Sequence, residues 1–363
     1  SIVTFQPGGS AMRNNYQTTN QVFKNWLTWN RTFGAHSINA VLGYSFQNDI
    51  YGDGFQATNA NFPVNNMSFN NLALGNYSTI NGYRVDFGYD QAYSKTRLIS
   101  NFARLNYNYN DKYYLQGSLR RDGGSVFGKN NRWGYFPSVG VSWRAGQESF
   151  IQKMNIFYDL KFRGSYGVTG NSTGFSAYTA QFLSGPMGSF NYNGGSMMSY
   201  GPNKAANPDL KWEKTATTNF GLDASLLQGK LSFTFDWYNK NTTDMIYWYD
   251  ADILLVPAAG LWANGGSINN KGIEFSISAT PVKTRTFTWK TSLNLAHNKN
   301  TITGLSNPYF SGGDSIRYTQ PDGGGQTGST LQIRKVGYPL GQFFTLIYQG
   351  KNSAGVSQYL AKD

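Results

Sequence analysis

Ser37-Ile38-Asn39-Ala40-Val41-Leu42-Gly43-Tyr44-Ser45-Phe46 sets Ile38, Ala40, Leu42, Tyr44 and Phe46 on one register and Ser37, Asn39, Gly43 and Ser45 on the other. That is period two, the spacing of a β-strand with one apolar and one polar face. The rule repeats along the chain. Leu105, Tyr107 and Tyr109 alternate with Arg104, Asn106 and Asn108, and Tyr113, Leu115 and Leu119 with Gln116, Ser118 and Arg120. It continues through Val139, Val141 and Trp143; Leu160, Phe162, Tyr166 and Val168; Phe220, Leu222, Ala224 and Leu226; and Leu231, Phe233, Phe235 and Trp237. Ile273, Phe275, Ile277 and Ala279, then Phe287, Trp289, Leu293 and Leu295, complete the set; with Trp26 to Phe33 they make about ten strands.

Charge placement sharpens the reading. Arg104, Arg120, Arg144, Lys161, Arg163, Asp223, Asp236, Glu274 and Lys290 fall on the polar register, while Arg121, Lys214 and Lys271 occupy the apolar register only at segment ends. A lipid-facing Arg or Lys near mid-membrane costs roughly 2–4 kcal/mol, so this partition suits a membrane barrel with a wet interior. A soluble sandwich partitions its charges in the same way. Connection lengths separate the two. Gly34-Ala35, Asn110-Asp111-Lys112, Gln228-Gly229 and Pro281 to Arg285 are brief, and Gly146 to Phe157 is moderate. Between them run long connections through 47–94, 123–133, 170–211, 241–269 and 300 onward. Short turns alternating with long loops are the rhythm of outer-membrane barrels. Phe46, Tyr107, Tyr109, Tyr113, Trp143 and Trp237 stand at strand ends as interfacial girdles. The reading predicts Ile38, Leu42, Leu105, Leu115, Val141, Phe220, Phe233, Phe275 and Leu293 toward lipid, and the loops 170–211 and 241–269 on the extracellular side.

Composition agrees. Of 363 residues 42 are Gly, 25 Tyr, 25 Phe and 9 Trp, and only 14% are charged, a bias toward strands and turns. The absence of Cys removes disulfides and thiolate sites, and His36 and His297 form no ligand pair, so neither metal nor other cofactor is expected. No apolar run reaches 18 residues, which excludes membrane helices and leaves barrels open. A net charge of +12 fits a polyanion partner such as the phosphates of an outer leaflet; nucleic acid is not expected, because the basic residues are scattered.

Several patterns imitate catalytic motifs. Gly123 to Asn130 has phosphate-loop spacing, but Asn130 replaces the metal-binding Ser or Thr and the strand-like Trp133 to Arg144 follows where a helix is needed. Gly323, Gly325 and Gly328 likewise precede the alternating Thr330 to Arg334. Asp236 and Glu274 share the polar register, yet no His, Cys or activated Ser organises them, so no catalytic residue is assigned. Flat aromatic faces suit sugars and peptides, which makes Tyr247, Trp248, Tyr249 and Trp262 the candidate substrate or partner contacts.

Five stretches then resemble the SusC/RagA group of TonB-linked outer-membrane transporters of Bacteroidota. They are Arg120-Arg121-Asp122-Gly123 continuing to Phe127-Gly128-Lys129-Asn130-Asn131-Arg132-Trp133-Gly134-Tyr135-Phe136-Pro137-Ser138; Leu160 to Asn171; Asn207-Pro208-Asp209-Leu210-Lys211-Trp212-Glu213; Asn270-Lys271-Gly272-Ile273-Glu274; and Gly337-Tyr338-Pro339-Leu340-Gly341. Gly124 and Val126 depart from the group, which usually has polar or basic residues there. The resemblance implies a 22-stranded barrel holding an N-terminal plug, capped by a SusD-like surface lipoprotein and energised through the TonB complex, importing oligosaccharides or peptides. Residues 1–363 are then expected to be an all-β arc of about ten antiparallel transmembrane strands, a partial barrel domain without plug, TonB-contacting segment or last strands. Ser1-Ile2-Val3-Thr4 carries no export signal, and Tyr359 to Asp363 forms no closing strand, in keeping with that expectation. A non-transporting adhesin or secretion barrel, and a secreted soluble β-sandwich that binds glycans, are the alternatives.

Overall fold

The computed structural model describes residues 10–60, 62, 70–75, 78–80, 83–85, 88–90, 93–250, 258, 260–305, 315–318, 332–344 and 347–360. Strands in chain order are β1 (Ala11–Phe33), β2 (His36–Asn59), the short β3 (Ser78–Ile80), β4 (Tyr83–Val85) and β5 (Gly88–Asp90), then β6 (Ser94–Tyr109), β7 (Tyr113–Gly124), β8 (Trp133–Trp143) and β9 (Phe157–Asn171). They continue as β10 (Leu183–Tyr192), β11 (Gly195–Lys204), β12 (Glu213–Leu226), β13 (Leu231–Asp250), β14 (Gly260–Lys283) and β15 (Thr288–Gly304). The short β16 (Ser315–Tyr318), β17 (Gln332–Lys335), β18 (Gln342–Phe343), β19 (Ile347–Lys351) and β20 (Ser357–Leu360) follow. Ten of them form one antiparallel wall in the order β1-β2-β6-β7-β8-β9-β12-β13-β14-β15, with β5 added beside the far end of β2. β10 and β11 make a separate hairpin within the longest described connection.

Register explains why the alternation is so regular. Tyr109, Tyr113, Trp143, Phe162, Leu222, Phe235, Phe275 and Leu295 are successive cross-strand partners from β6 to β15. Residues directly opposite share a face, so the apolar registers of the separate strands fuse into one continuous surface. The opposite face carries rungs such as Asn106, Gln116, Gly140, Ser165, Asn219 and Tyr238. All nine residues predicted to face lipid lie on the apolar surface. Leu42 and Val141 there are 59% and 55% exposed, and the wall strands pack chiefly against their sheet neighbours, β11 touching β14 only slightly. Ile38, Phe233 and Phe275 are half-covered by those neighbours. A β-sandwich requires a second sheet over this face. Among the described residues there is none, so the sandwich alternative is overturned, and an apolar face of this extent calls for lipid.

The wall is staggered. The β12–β13 hairpin closes at Leu226 and Leu231, four residues beyond the rung of Tyr113, which crosses those strands at Leu222 and Phe235. Such stagger is what tilts the strands of a barrel relative to its axis. The four briefest connections of the wall, two to four residues each, gather at one end together with the 144–156 link. They are Gly34-Ala35, residues 110–112, the 144–156 link with α1 (Ser149–Met154), residues 227–230 and residues 284–287. Asn110 and Asp111 adopt left-handed φ of 54° and 53°, which Asn and Asp tolerate. Pro281, expected to open a turn, lies inside β14 at an irregularity between Ala279 and Val282, where its missing N–H breaks no regular ladder. At this end His36 stacks between Phe33 and Tyr109, with ring centroids 5.3 and 4.9 Å away, and hydrogen-bonds through Nδ1 to Tyr107 Oη at 2.7 Å. His36 therefore belongs to the aromatic girdle.

At the loop end the strands outrun the alternation. β2 continues to Asn59, and β13 and β14 pair up to Asp250 and Gly260, so most of 241–269 is ladder and only residues 251–259 connect it. Beyond the membrane both faces are wet, so backbone pairing persists after the period-two pattern has lapsed. The phosphate-loop spacing at Gly123 to Asn130 likewise joins β7 to β8 with no helix. Gly323, Gly325 and Gly328 lie outside the described residues, as do residues 361–363, while Gln332–Lys335 is the strand expected after them.

Glu148, in the turn-end link, accepts from Tyr113 Oη at 2.6 Å, Lys112 Nζ at 2.9 Å and Trp143 Nε1 at 3.3 Å. These bonds favour the charged carboxylate, the Tyr113 bond most, and lower its pKa to about 2. A depressed folded-state pKa stabilises the clasp above the ordinary carboxylate value and loses that contribution as pH falls through the depressed one. In the wild type, acid-protease cleavage of the 144–156 link is expected to rise as pH drops from 4.5 toward 2, whereas Glu148→Gln should be cleaved at a pH-independent, higher rate. The lipid face gives a second test. Leu105→Arg should destabilise the barrel in vesicles by about 2–4 kcal/mol by urea unfolding, against about 0.5 kcal/mol or less for Gln116→Arg on the polar face.

Candidate functional site: the loop-end clamp

Tyr247, Trp248 and Tyr249 sit on β13 and Trp262 on β14, with Tyr247 opposite Ala263, Trp248 opposite Trp262 and Tyr249 opposite Leu261. They are ladder residues, not a loop cluster. Strand alternation divides them. Trp248 and Trp262 meet edge to face on one side, 5.8 Å apart at 72°. On the other side Tyr249 Oη donates to the Leu305 carbonyl at 3.4 Å, and the Arg334 guanidinium lies 5.4 Å from the Tyr247 ring. A bulge between Thr242 and Ile246, with Asp244 at φ 58°, resets the register just below them.

Against the Trp248/Trp262 side packs a buried cluster built from the motifs themselves. Val126, Phe127, Phe136, Leu210, Trp212 and Ile246 form it, and Trp262, Phe175 and Leu98 pack on its edge. Trp212 is 3% exposed; its ring centroid lies 4.3 Å from Phe127 and 5.3 Å from Phe136, and its Nε1 donates to the Arg132 carbonyl at 2.9 Å. The loop between β7 and β8 is zipped to the segment before β12. Gly128 N donates to Leu210 O at 2.9 Å, Asn130 N to Pro208 O at 3.1 Å, and Asn130 Nδ2 to Asp209 Oδ1 at 2.7 Å. Gly128 is required by closeness, since a Cβ there would stand 2.2 Å from the Pro208 carbonyl oxygen. The same segment is tied to the β13–β14 ladder. Asn264 exchanges bonds of 2.9 and 2.8 Å with the Lys211 backbone and donates to Asp244 O at 2.7 Å, while Glu213 Oε1 accepts from Ile246 N at 2.7 Å. Asn207 Nδ2 reaches the Trp262 carbonyl at 2.9 Å. The motifs thus serve as a clamp that fixes the loops over the loop end of the wall.

Within the 172–212 connection Lys204 is 7% exposed and donates to the carbonyls of Tyr178 and of Thr179, the latter at 3.1 Å. Burial lowers its pKa. Lower on the polar face Arg163 bridges three strands. It binds Asp223 through two bonds of 2.8 and 3.0 Å and Asp236 at 3.1 Å, and a Cβ on Gly221 would collide with its guanidinium. Asp236 is therefore a partner in an ion network, with Glu274 opposite it in the ladder. No group of three metal-ligating side chains occurs among the described residues.

Comparison with known proteins follows this geometry closely. The family profile described as TonB dependent receptor-like, beta-barrel matches residues 3–361. The chain belongs to this TonB-dependent receptor family. It is 33% identical over 355 residues to the TonB-dependent receptor P3 of Formosa agariphila, covering 96% of this chain and 33% of that protein. To the TonB-dependent receptor SusC of Bacteroides thetaiotaomicron it is 32% identical over 346 residues, covering 85% of this chain and 34% of that one. The solved RagAB peptide transporter superposes with a TM-score of 0.78 at 26% identity, over 96% of this chain and 36% of that one. Within the receptor family the chain falls in the SusC/RagA group, a group of outer-membrane proteins. It spans about a third of the length of these curated relatives.

The clamp gives a direct test for this receptor. Trp212→Ala deletes an aromatic keystone, a change typically worth about 3–5 kcal/mol. Limited proteolysis should then cut the 125–132 and 172–212 connections much faster, and Gly128→Ala should do the same through steric collision. Trp248→Ala, at the clamp's exposed edge, should leave both cleavage rates near wild type.

Proposed function

We propose that this chain forms part of the wall of a larger TonB-dependent importer, which moves oligosaccharides or peptides across the outer membrane without chemical change. The observation that carries the reading is the clamp. Motifs of a transporter group are spent on holding long loops rigidly over the loop end of a polar-faced wall, as a cargo entrance requires. The polar face lined by Arg163, Asp223 and Asp236 supplies a wet interior, and among the described residues β1 and β15 are each paired on one side only. In lipid such edges need partner strands, which a wider barrel provides. A plug inside that wall, the TonB complex as energy source and a SusD-like lipoprotein over the loops complete the proposal. The solved neighbour named a peptide transporter supports the peptide half of the cargo class.

Trp248, 38% exposed beside the clamp, is the aromatic of the original set best placed to stack on cargo, with Trp262 behind it. Tyr247 and Tyr249 serve the opposite side as packing. Uptake of labelled oligosaccharides and labelled peptides should be compared in cells carrying the full-length protein, cells lacking it, and cells with TonB inactivated. Import of one class that disappears in the latter two supports the reading; equal accumulation in all three overturns it. In the same assay Trp248→Ala is expected to weaken half-saturation by about tenfold, the scale of one lost stacking contact, with expression and clamp proteolysis unchanged.

A further inference from the structure

The 144–156 link does more than turn the chain between β8 and β9. It doubles back onto the outward face of the wall. Ala145, 1% exposed, packs with Leu160 and Ala224, and Ile151 of α1 packs on the same cluster, as do Trp143 and Leu222. Leu160, Ala224 and Phe233 form one rung of the apolar register, so the link covers positions on the lipid-facing side. Gly146 permits that approach, since a Cβ there would stand 2.7 Å from the Leu160 nitrogen. Glu148 holds the link from the same side, because Tyr113 and Trp143, which donate to it, belong to the outward register.

Helical spacing divides α1 into an apolar stripe, Phe150, Ile151 and Met154, and a polar one, Ser149, Gln152 and Lys153. The wall covers only part of the apolar stripe. Phe150 is 58% exposed, Met154 51%, and Ile156 just past the helix 51%. An amphipathic helix laid beside a lipid-facing wall, with half its apolar stripe uncovered, fits a membrane interface. Toward mid-membrane the next rungs open a trough. Gly164 leaves a gap between Val141 and Phe220, and Leu115 and Phe162 complete its sides. A Cβ on Gly164 would meet only ordinary contacts, 3.5 Å from Phe220 and 3.7 Å from Val141, so the gap is open space and not a close approach. The foot of the trough, Trp143 and Phe162, is the rung next to Leu160 and the link.

We propose that the link and the trough together seat one phospholipid of the periplasmic leaflet, with an acyl chain lying over Gly164 and the glycerol end resting on the apolar shelf of Phe150 and Met154. Lipid is the occupant because shelf and trough are continuous with the apolar surface of the wall. The leaflet follows from the outer-membrane reading with the loop end outward. The link thus becomes a membrane-interface element, and the lipid-facing side of the wall gains a ligand distinct from the cargo.

The test places an environment-sensitive fluorophore on single cysteines of the full-length protein in phosphatidylcholine vesicles, with any cysteine elsewhere replaced by serine. Met154→Cys reads the shelf, Lys153→Cys the polar side of α1, and Thr291→Cys an outward, exposed position near another short turn of the wall. The probes are phosphatidylethanolamine carrying a nitroxide high on one acyl chain, and aqueous iodide. At low mole fraction the spin-labelled lipid should quench the Met154→Cys label about threefold more than the Thr291→Cys label, the scale of a few additional van der Waals contacts around a seated chain. Iodide should quench the Lys153→Cys label and spare the Met154→Cys label. Gly164→Phe, which fills the trough, should bring lipid quenching at Met154→Cys down to the Thr291→Cys level. Should Gly164→Phe lack the heat-modifiable gel shift of a folded barrel, Gly164→Val is measured against the same criteria. Equal lipid quenching of the Met154→Cys and Thr291→Cys labels overturns the proposal, by making the lipid there no different from any other around the wall. So does enrichment that survives filling of the trough. Iodide quenching of the Met154→Cys label as complete as that of Lys153→Cys also overturns it, and leaves the exposed side of α1 to a periplasmic protein. Orientation is read separately, by impermeant labelling of Ser184→Cys in intact cells, where labelling only after permeabilisation refutes the periplasmic leaflet. The vesicles hold neither cargo nor energy source, so failure of the lipid site in them leaves the import reading standing.

Discussion

A backbone N–H or C=O that enters hydrocarbon without a partner costs several kcal/mol, and no water is present to reduce that cost. The rest of this structure depends on that constraint. A strand wall satisfies every group sideways, so each strand commits to a register with both neighbours. Once registers are fixed, every side chain on a rung shares a face with its partners. The continuous apolar surface through Tyr113, Trp143, Phe162, Leu222, Phe235 and Phe275 is the consequence. So is the tolerance for Arg163, Asp223 and Asp236 one residue away in sequence from lipid-facing neighbours, because alternation sends them to the wet side.

Sideways pairing also shapes the wall's small residues. On the polar face Gly43 lies beneath the Phe102 ring, where a Cβ would fall 2.0 Å from Cζ, and Gly221 makes room for the Arg163 guanidinium in the same manner. A large side chain laid across a neighbouring glycine covers backbone that would otherwise be bare and fixes the pairing at that rung. The stagger of the hairpins tilts the strands, and the longer ones run on past the membrane at the loop end. β2 and β14 at 24 residues and β8 at 11 are thereby members of one wall.

Outside the membrane the same chain is held by different physics. The clamp relies on a small buried aromatic cluster and on side chains that satisfy loop backbone, chiefly Asn130, Asn207, Asn264 and Glu213. Loops normally remain mobile because their backbone groups face water. Here those groups are bonded to neighbouring loops and ladders, which gives the entrance a defined shape.

The sequence by itself determined the approximate strand count of the wall, its lipid face, the end at which the briefest turns gather and the family, because period-two alternation and turn chemistry are local properties of neighbouring residues, whereas the β10–β11 hairpin was not read. It also marked Phe127, Trp212 and Asn207 as motif residues without giving their task. Only tertiary structure decided that they meet one another, since residues 127 and 212 come together through register across several intervening strands and not through any local pattern. For the same reason the aromatic set at Tyr247, Trp248, Tyr249 and Trp262 read as one cluster and proved to be two. A bulge at Asp244 and pairing across residues 251–259 assign their faces, and neither is written in the composition of the segment. The basic residues on the outward register near the loop end lay between these extremes. Arg121 and Lys271 were visible as charges at segment ends, but Lys299 joined them only when the β14–β15 register placed the two lysines side by side.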